Sequence, residues 1–389
     1  MAPINMEFVK FLTVVIALLP AHAQCSILDL LVYTSEFPVS KLAVEEGSPG
    51  RLYVGCENQF VQLDSSLLEK TKLTIGPKYD TDKCFPPIGD TSCNQGQSRV
   101  SNIVKVLAIN KLHNYIVMCG SVYQGLCSVH PLSNITHSQY FEETDHASYI
   151  GSQKSSTAFF GPPPRIINNT SRRMLYAAIA TYDRSEDKFS PRTISTREIA
   201  YDPVNISNSS IQYFYENDDK REYSYLSVTS TIQSRFKVTY LFGFELNGYG
   251  YYLSIQPAEI DVSRSSYVTK LIQFCTDDTV YKTYVETAIK CSKGLFAYTI
   301  ATAAHIQKSD NIYRLAVSFV RPKTGTMEAD TDYGSVVCLF DMADVRTHFN
   351  ELQKFCSNAG LGTYPWWLYG SQETCQLSSS TVSSFWLIT

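Results

Sequence analysis

No run of the 389 residues beyond the amino terminus approaches eighteen consecutive apolar side chains, so the sequence offers no membrane-spanning helix. Nor is there an excess of positive charge. Lys and Arg number 33 against 37 Asp and Glu, for a net charge of −4, which leaves no electrostatic footprint for nucleic acid. The chain lacks a G-x-S-x-G nucleophile elbow, a catalytic Cys signature and an H-E-x-x-H helix, and with them the usual sequence marks of nucleophilic or zinc hydrolysis. Only seven histidines occur, and they are scattered. No enzyme and no cofactor is therefore expected. Long helical periodicity is scarce as well. The best case lies within Ser335 to Phe355, where Ser335 to Phe340 reads as a strand and Met342, Val345, Phe349 and Leu352 then mark one amphipathic helix.

What the chain does have points to export. Lys10 precedes the apolar stretch Phe11 to Leu19, and Ala21-His22-Ala23 places small residues where a signal peptidase reads. Residues 1–23 are expected to be a signal peptide and 24–389 the exported part. Eleven cysteines in such a chain read as disulfides, because the secretory lumen is oxidising. Being odd in number, they leave at least one over. Asn134, Asn168, Asn169, Asn205 and Asn208 each begin an N-x-Ser/Thr sequon and are expected glycosylation sites on exposed loops.

Short segments rich in β-branched and aromatic residues alternate with Gly, Pro, Asn, Asp and Ser clusters, which is the pattern of strands and turns. Similar strand pairs begin at Arg51, Asn114, Arg173, Val238 and Tyr313, spaced by 63, 59, 65 and 75 residues. Repeats of this size suit four-stranded propeller blades carrying insertions, and the chain holds about five and a half of them. A ring of that count does not close, and a β-sandwich is the competing architecture. Ligand chemistry has bland competitors throughout. Cys119, Cys127 and His130 could hold zinc but at poor spacing. The acid pairs Asp80/Asp82, Asp277/Asp278 and Asp330/Asp332 lack the calcium-loop pattern and read as turn acids. Tyr249, Tyr251 and Tyr252 read as sheet packing before partner contact, as does Trp366-Trp367.

Particular motifs sharpen this reading. Leu52-Tyr53-Val54-Gly55 with Asn58 and Phe60-Val61-Gln62-Leu63, then Thr74-Ile75-Gly76-Pro77, Asp80, Cys84-Phe85-Pro86-Pro87 and Cys93, resemble the first part of plexin sema domains. Cys56 stands where that family usually has a small residue. The most specific stretch is Cys119-Gly120-Ser121-Val122-Tyr123-Gln124-Gly125-Leu126-Cys127, following Asn102 to Leu107. Tyr251-Tyr252-Leu253, Gln256-Pro257, Ile272 to Cys291 and Val337 to Phe340 continue the resemblance in the same order, with Cys356 and Cys375 closing it. Semaphorins share the fold but resemble the Gln-Gly stretch less.

The resemblance covers about Ser26 to Cys375, weakly between Ser128 and Ser234, and implies an all-β, sema-type seven-bladed propeller of which five to six blades are encoded here. It implies bonds Cys84–Cys93, Cys119–Cys127, Cys291–Cys338 and Cys356–Cys375, and a Cys275 whose family partner has no counterpart, leaving Cys25, Cys56 and Cys275 as an odd set. It also implies a semaphorin as protein partner, axon-guidance signalling in full-length relatives at the plasma membrane, association with other plexin ectodomains, and for this chain a truncated soluble form. The rival functions are a secreted semaphorin-like ligand and an unrelated exported propeller with enzymatic activity.

Overall fold

The computed structural model describes residues 31–45, 47, 50–81, 96–141, 146–151, 155–164, 172–180, 192–217, 222–233, 236–258, 266–294, 296–323, 326, 328, 330–358, 367–369 and 387–388. Residues from Ser35 onward form one compact unit. Cys25, Cys84, Cys93, Cys375, Asn168, Asn169, Asp82 and Trp366 lie outside the described residues, as does the side chain of Cys356.

Among the described residues, five larger antiparallel sheets, accompanied by two short two-stranded ribbons, follow one another along the chain. The first contains β1 (Val39–Glu45), β2 (Arg51–Cys56), β3 (Gln59–Asp64) and β4 (Glu69–Thr74) in that order. A ribbon of β5 (Lys78–Asp80) and β6 (Ser98–Val100) leads to the second, made of β7 (Val106–Asn110), β8 (Tyr115–Cys119), β9 (Cys127–Pro131) and β10 (Gln139–Tyr140). The third has β11 (Thr157–Gly161), β12 (Met174–Ala178), β13 (Ile194–Ala200) and β14 (Ser210–Tyr213). A hairpin of β15 (Glu216–Asn217) and β16 (Glu222–Tyr223) precedes β17 (Tyr225–Val228), which returns to pair with β13. The fourth has β18 (Thr239–Leu246), β19 (Tyr249–Pro257), β20 (Tyr267–Cys275), β21 (Val285–Lys293) and the short β22 (Phe296–Tyr298). The fifth has β23 (Ile300–Ser309), β24 (Ile312–Val320) and β25 (Ser335–Asp341). A helix, α1 (Met342–Asn358), follows directly, its first turn capped by the Asp341 carboxylate accepting from Ala343 N at 2.9 Å. β26 (Leu368–Tyr369) extends the third sheet beside β17, and β27 (Leu387–Ile388) runs parallel to β21.

The first strand of each sheet lies against the first strand of the next, from β1 to β7, β11, β18 and β23. That is the inner circuit of a β-propeller, and the sandwich alternative is set aside. One apolar core fills each gap between neighbouring blades. Tyr53, Phe60, Val104 and Ile116 sit between blades one and two, and Val117, Val129, Leu175 and Ala177 between two and three. Tyr176, Tyr240, Tyr252 and Phe274 lie between three and four, and Leu253, Leu271, Leu315 and Val317 between four and five. Met342, Val345, Phe349 and Leu352 of α1 join that last core, all buried.

One sequence expectation needs correction. The repeats beginning at Arg51, Asn114, Arg173 and Tyr313 mark the second strand of their blades, whereas Val238 leads into β18, the first strand of blade four. The frame slips because β18 and β19 are equally aromatic. The matching unit begins at Tyr249, whose strand places Tyr251 and Tyr252 in the core.

Candidate functional site

The motif from Cys119 to Cys127 forms the turn that joins β8 to β9, and its residue types follow from its geometry. Cys119 and Cys127 face one another across the two strands and are disulfide-bonded, with Cα atoms 4.1 Å apart. Between them Tyr123, Gln124 and Gly125 all have positive φ, at 53°, 58° and 87°. Such a run is costly for residues with a Cβ and persists only when its surroundings fix it. Here Asp80 accepts from Tyr123 N at 2.8 Å, and Gln124 Nε2 donates to Thr81 O at 3.3 Å. Gly125 could be nothing larger, since a Cβ there would stand 1.8 Å from Gly151 O.

The same turn is tied to blade one through two asparagines. Asn102, almost fully buried, accepts from Ser121 N at 2.9 Å and donates from Nδ2 to Ile75 O at 3.1 Å. Its own backbone N–H donates to Asn58 Oδ1 at 2.8 Å, and Ile103 N donates to Ser121 Oγ at 2.9 Å. A side-chain amide with both donor and acceptor is what such a junction needs, because Asn102 satisfies backbone groups from both blades at once, while Asn58 Nδ2 donates to Ser101 Oγ at 3.2 Å. The rigid turn therefore presents Tyr123, beside Tyr140 at a ring distance of 6.0 Å, at one end of blade two.

The zinc reading at this turn gives way to the disulfide, which consumes both thiols. His130 is buried between Ser128 Oγ at 2.8 Å and Ile135 O at 2.8 Å, with the Phe60 ring edge-on at 5.3 Å. Among the described residues no group of three His, Cys, Asp or Glu side chains is placed to hold a metal. Asp278 accepts from Val280 N, Thr283 N and Thr283 Oγ1 in the turn before β21, and Asp330 accepts from Asp332 N. These acids stabilise their own loops.

Burial pushes the His130 imidazole down to about 4. The folded protein keeps it neutral while the unfolded chain protonates it near the usual 6.5, so the stability it contributes is present above that value and lost as pH falls toward 4. Acidification across that window is expected to remove about 3 kcal/mol through this residue alone. Urea unfolding at pH 7 and pH 4.5 checks it. The difference should shrink in His130→Gln, and an unchanged difference would remove His130 as its source.

A second disulfide, Cys291–Cys338, joins β21 of blade four to β25 of blade five, so neighbouring blades are fastened at their outer strands. Cys56 and Cys275 carry free thiols, Cys56 buried with Sγ 3.2 Å from Ser35 Oγ and Cys275 half-buried at the end of β20. Asn134, Asn205 and Asn208 are exposed on turns. Two buried charges were not singled out in the sequence. Glu286 gathers Lys270, Gln256, Tyr284 and Trp367, and Arg197 anchors the segment entering blade three.

No family model matches the chain. Mouse Plexin-A4 is 26% identical over 361 residues, covering 88% of this chain and 18% of that protein. Human Plexin-A2 is 24% identical over 360 residues, covering 87% of this chain and 18% of that protein. The chain thus spans about a fifth of the length of these relatives. Among solved structures, the full extracellular region of plexin A4 superposes with a TM-score of 0.69 at 21% identity, covering 88% of this chain and 38% of that one. The chain is similar to plexins over most of its length, and its fold is that of the plexin sema propeller.

Proposed function

We propose that this chain is the amino-terminal recognition portion of a plexin-like receptor, exported behind a signal peptide at residues 1–23, with 24–389 a partial sema domain that binds a semaphorin. The observation that carries the reading is the joint one. Similarity to plexins extends over 88% of the chain, and the Cys119–Cys127 turn, its most specific motif, is built as a rigid feature at a blade end. The mechanism is recognition between propellers through rim loops, with a total buried area of about 1,000 Å² or more. It needs no cofactor and no bond-making chemistry. Because the chain spans 18% of the plexin relatives, signalling in axon guidance and association between plexin ectodomains are proposed for a protein of their length. The same likeness supports extracellular residence, with the cell surface as the place of a protein of the relatives' length.

The test is to produce the chain in secretory cells beside a family-complete sema domain and measure binding of a panel of semaphorin ectodomains to both by surface plasmon resonance. Saturable binding to at least one semaphorin is expected. Binding by the control with none by this chain, recovered as a folded monomer, would overturn the assignment.

A further inference from the structure

Asn134, Asn205 and Asn208 are far apart in sequence, yet the fold brings them to one end of blades two and three. Asn134 lies in the turn that follows β9, whose last residue, Pro131, pairs with Tyr115 at the start of β8. Asn205 and Asn208 lie in the loop between β13 and β14, closed by the pairing of Ala200 with Ser210. Tyr201, which opens that loop, packs its ring 4.5 Å from that of Tyr115. The two sequon-bearing loops therefore meet at the same end, opposite the Cys119–Cys127 turn. All three asparagines are exposed. In each of the first two sequons the hydroxyl approaches the amide, with Thr136 Oγ1 donating to Asn134 Oδ1 at 2.7 Å and Ser207 Oγ to Asn205 Oδ1 at 2.6 Å.

This end also bears exposed apolar side chains. Val204 is 93% exposed in the same loop as Asn205, and Leu112 is 51% exposed in the turn between β7 and β8. Carbohydrate attached beside them would cover apolar area that otherwise favours self-association. We propose that N-linked glycans on Asn134, Asn205 and Asn208 form one carbohydrate cover over this end of blades two and three, shielding Leu112 and Val204. The donor is a lipid-diphosphate-linked oligosaccharide of the secretory lumen. The amide Nδ2 bonds to its anomeric carbon, the lipid diphosphate leaves with the electron pair, and one amide proton is released. The cover rests on the proposed export, and the experiment separates the two.

The full chain, carrying an appended reporter sequon at its carboxy terminus, is produced in secretory cells and its glycopeptides are mapped by mass spectrometry. Occupancy is expected at the reporter, at Asn134 and at one or both of Asn205 and Asn208. An occupied reporter with all three asparagines bare overturns the cover while export stands, and a bare reporter overturns export and the cover together. The triple Asn134→Gln, Asn205→Gln, Asn208→Gln variant is expected to shift severalfold from monomer to aggregate in size-exclusion chromatography. Adding Leu112→Lys and Val204→Lys should restore the monomer if lost shielding is the cause. A triple variant as monomeric as the parent, or aggregation that the lysines leave unchanged, overturns the shielding role.

Discussion

Glu286→Ala is expected to destabilise the protein by about 3–5 kcal/mol, the range for removing one partner of a buried charge pair. The Glu286 side chain is 7% exposed, and Lys270 Nζ reaches its Oε1 at 2.5 Å. Gln256 Nε2 donates to the two carboxylate oxygens at 3.1 and 3.3 Å, Trp367 Nε1 to Oε1 at 3.1 Å and the Tyr284 hydroxyl to Oε2 at 3.0 Å. Four donors thus converge on one carboxylate, and the cost of its removal lies in what is left behind. An ammonium and three polar hydrogens would remain buried without their acceptor. The pair also joins distant parts of the chain, since Trp367 sits beside β26 and stacks on Phe236 at 4.9 Å. Equilibrium urea unfolding checks the loss. The double variant Glu286→Leu, Lys270→Met should recover part of it, because no charge is then stranded. A single variant within 1 kcal/mol of the parent would show the network to be dispensable.

That network also shows what sequence reading reaches and where it stops. Strand content and the amphipathic helix marked by Met342, Val345, Phe349 and Leu352 follow from composition and periodicity, because they depend on local preference, whereas the repeats alone leave a sandwich open and the propeller comes from the plexin resemblance. The Cys119–Cys127 turn is legible too, through the resemblance of its motif to plexin sema domains, and the structure shows the bond. Glu286 and Arg197 are hidden for a physical reason. A blade between two others is covered on both faces, so Tyr284 and Val285 are both buried although they point to opposite sides. Strict alternation, which would flag a polar residue in the inward phase, is then lost. The slip of one strand at Val238 has the same origin, with β18 and β19 both rich in aromatic residues. The Asn102 junction depends on partners from Asn58 to Ser121, and pairings over such separations carry no local signal.

Arg197→Met is expected to cost about 3–5 kcal/mol, although methionine fills much of the same volume. Arg197 is fully buried in β13. Its Nη1 donates to Ala147 O and, at 3.1 Å, to Tyr149 O, and Nε donates to Ser195 Oγ at 2.9 Å, while the guanidinium lies 5.4 Å from the Tyr213 ring. The carbonyls belong to the segment that crosses from blade two into blade three, so the side chain substitutes for strand pairing where the chain is irregular. Removing it strands carbonyl oxygens that no water can reach without opening the blade interface. Arg197→Lys should recover little, because a single ammonium cannot reproduce the fork that serves Ala147, Tyr149 and Ser195 together. Hydrogen exchange separates this role from general packing. Amides of Tyr149 to Gly151 and of the first residues of β11 should lose protection well before those of β19 and β20, which lie across another core. Uniform loss of protection across all five blades would mean that Arg197 supports global stability without holding this crossing, and full rescue by lysine would mean that charge alone suffices.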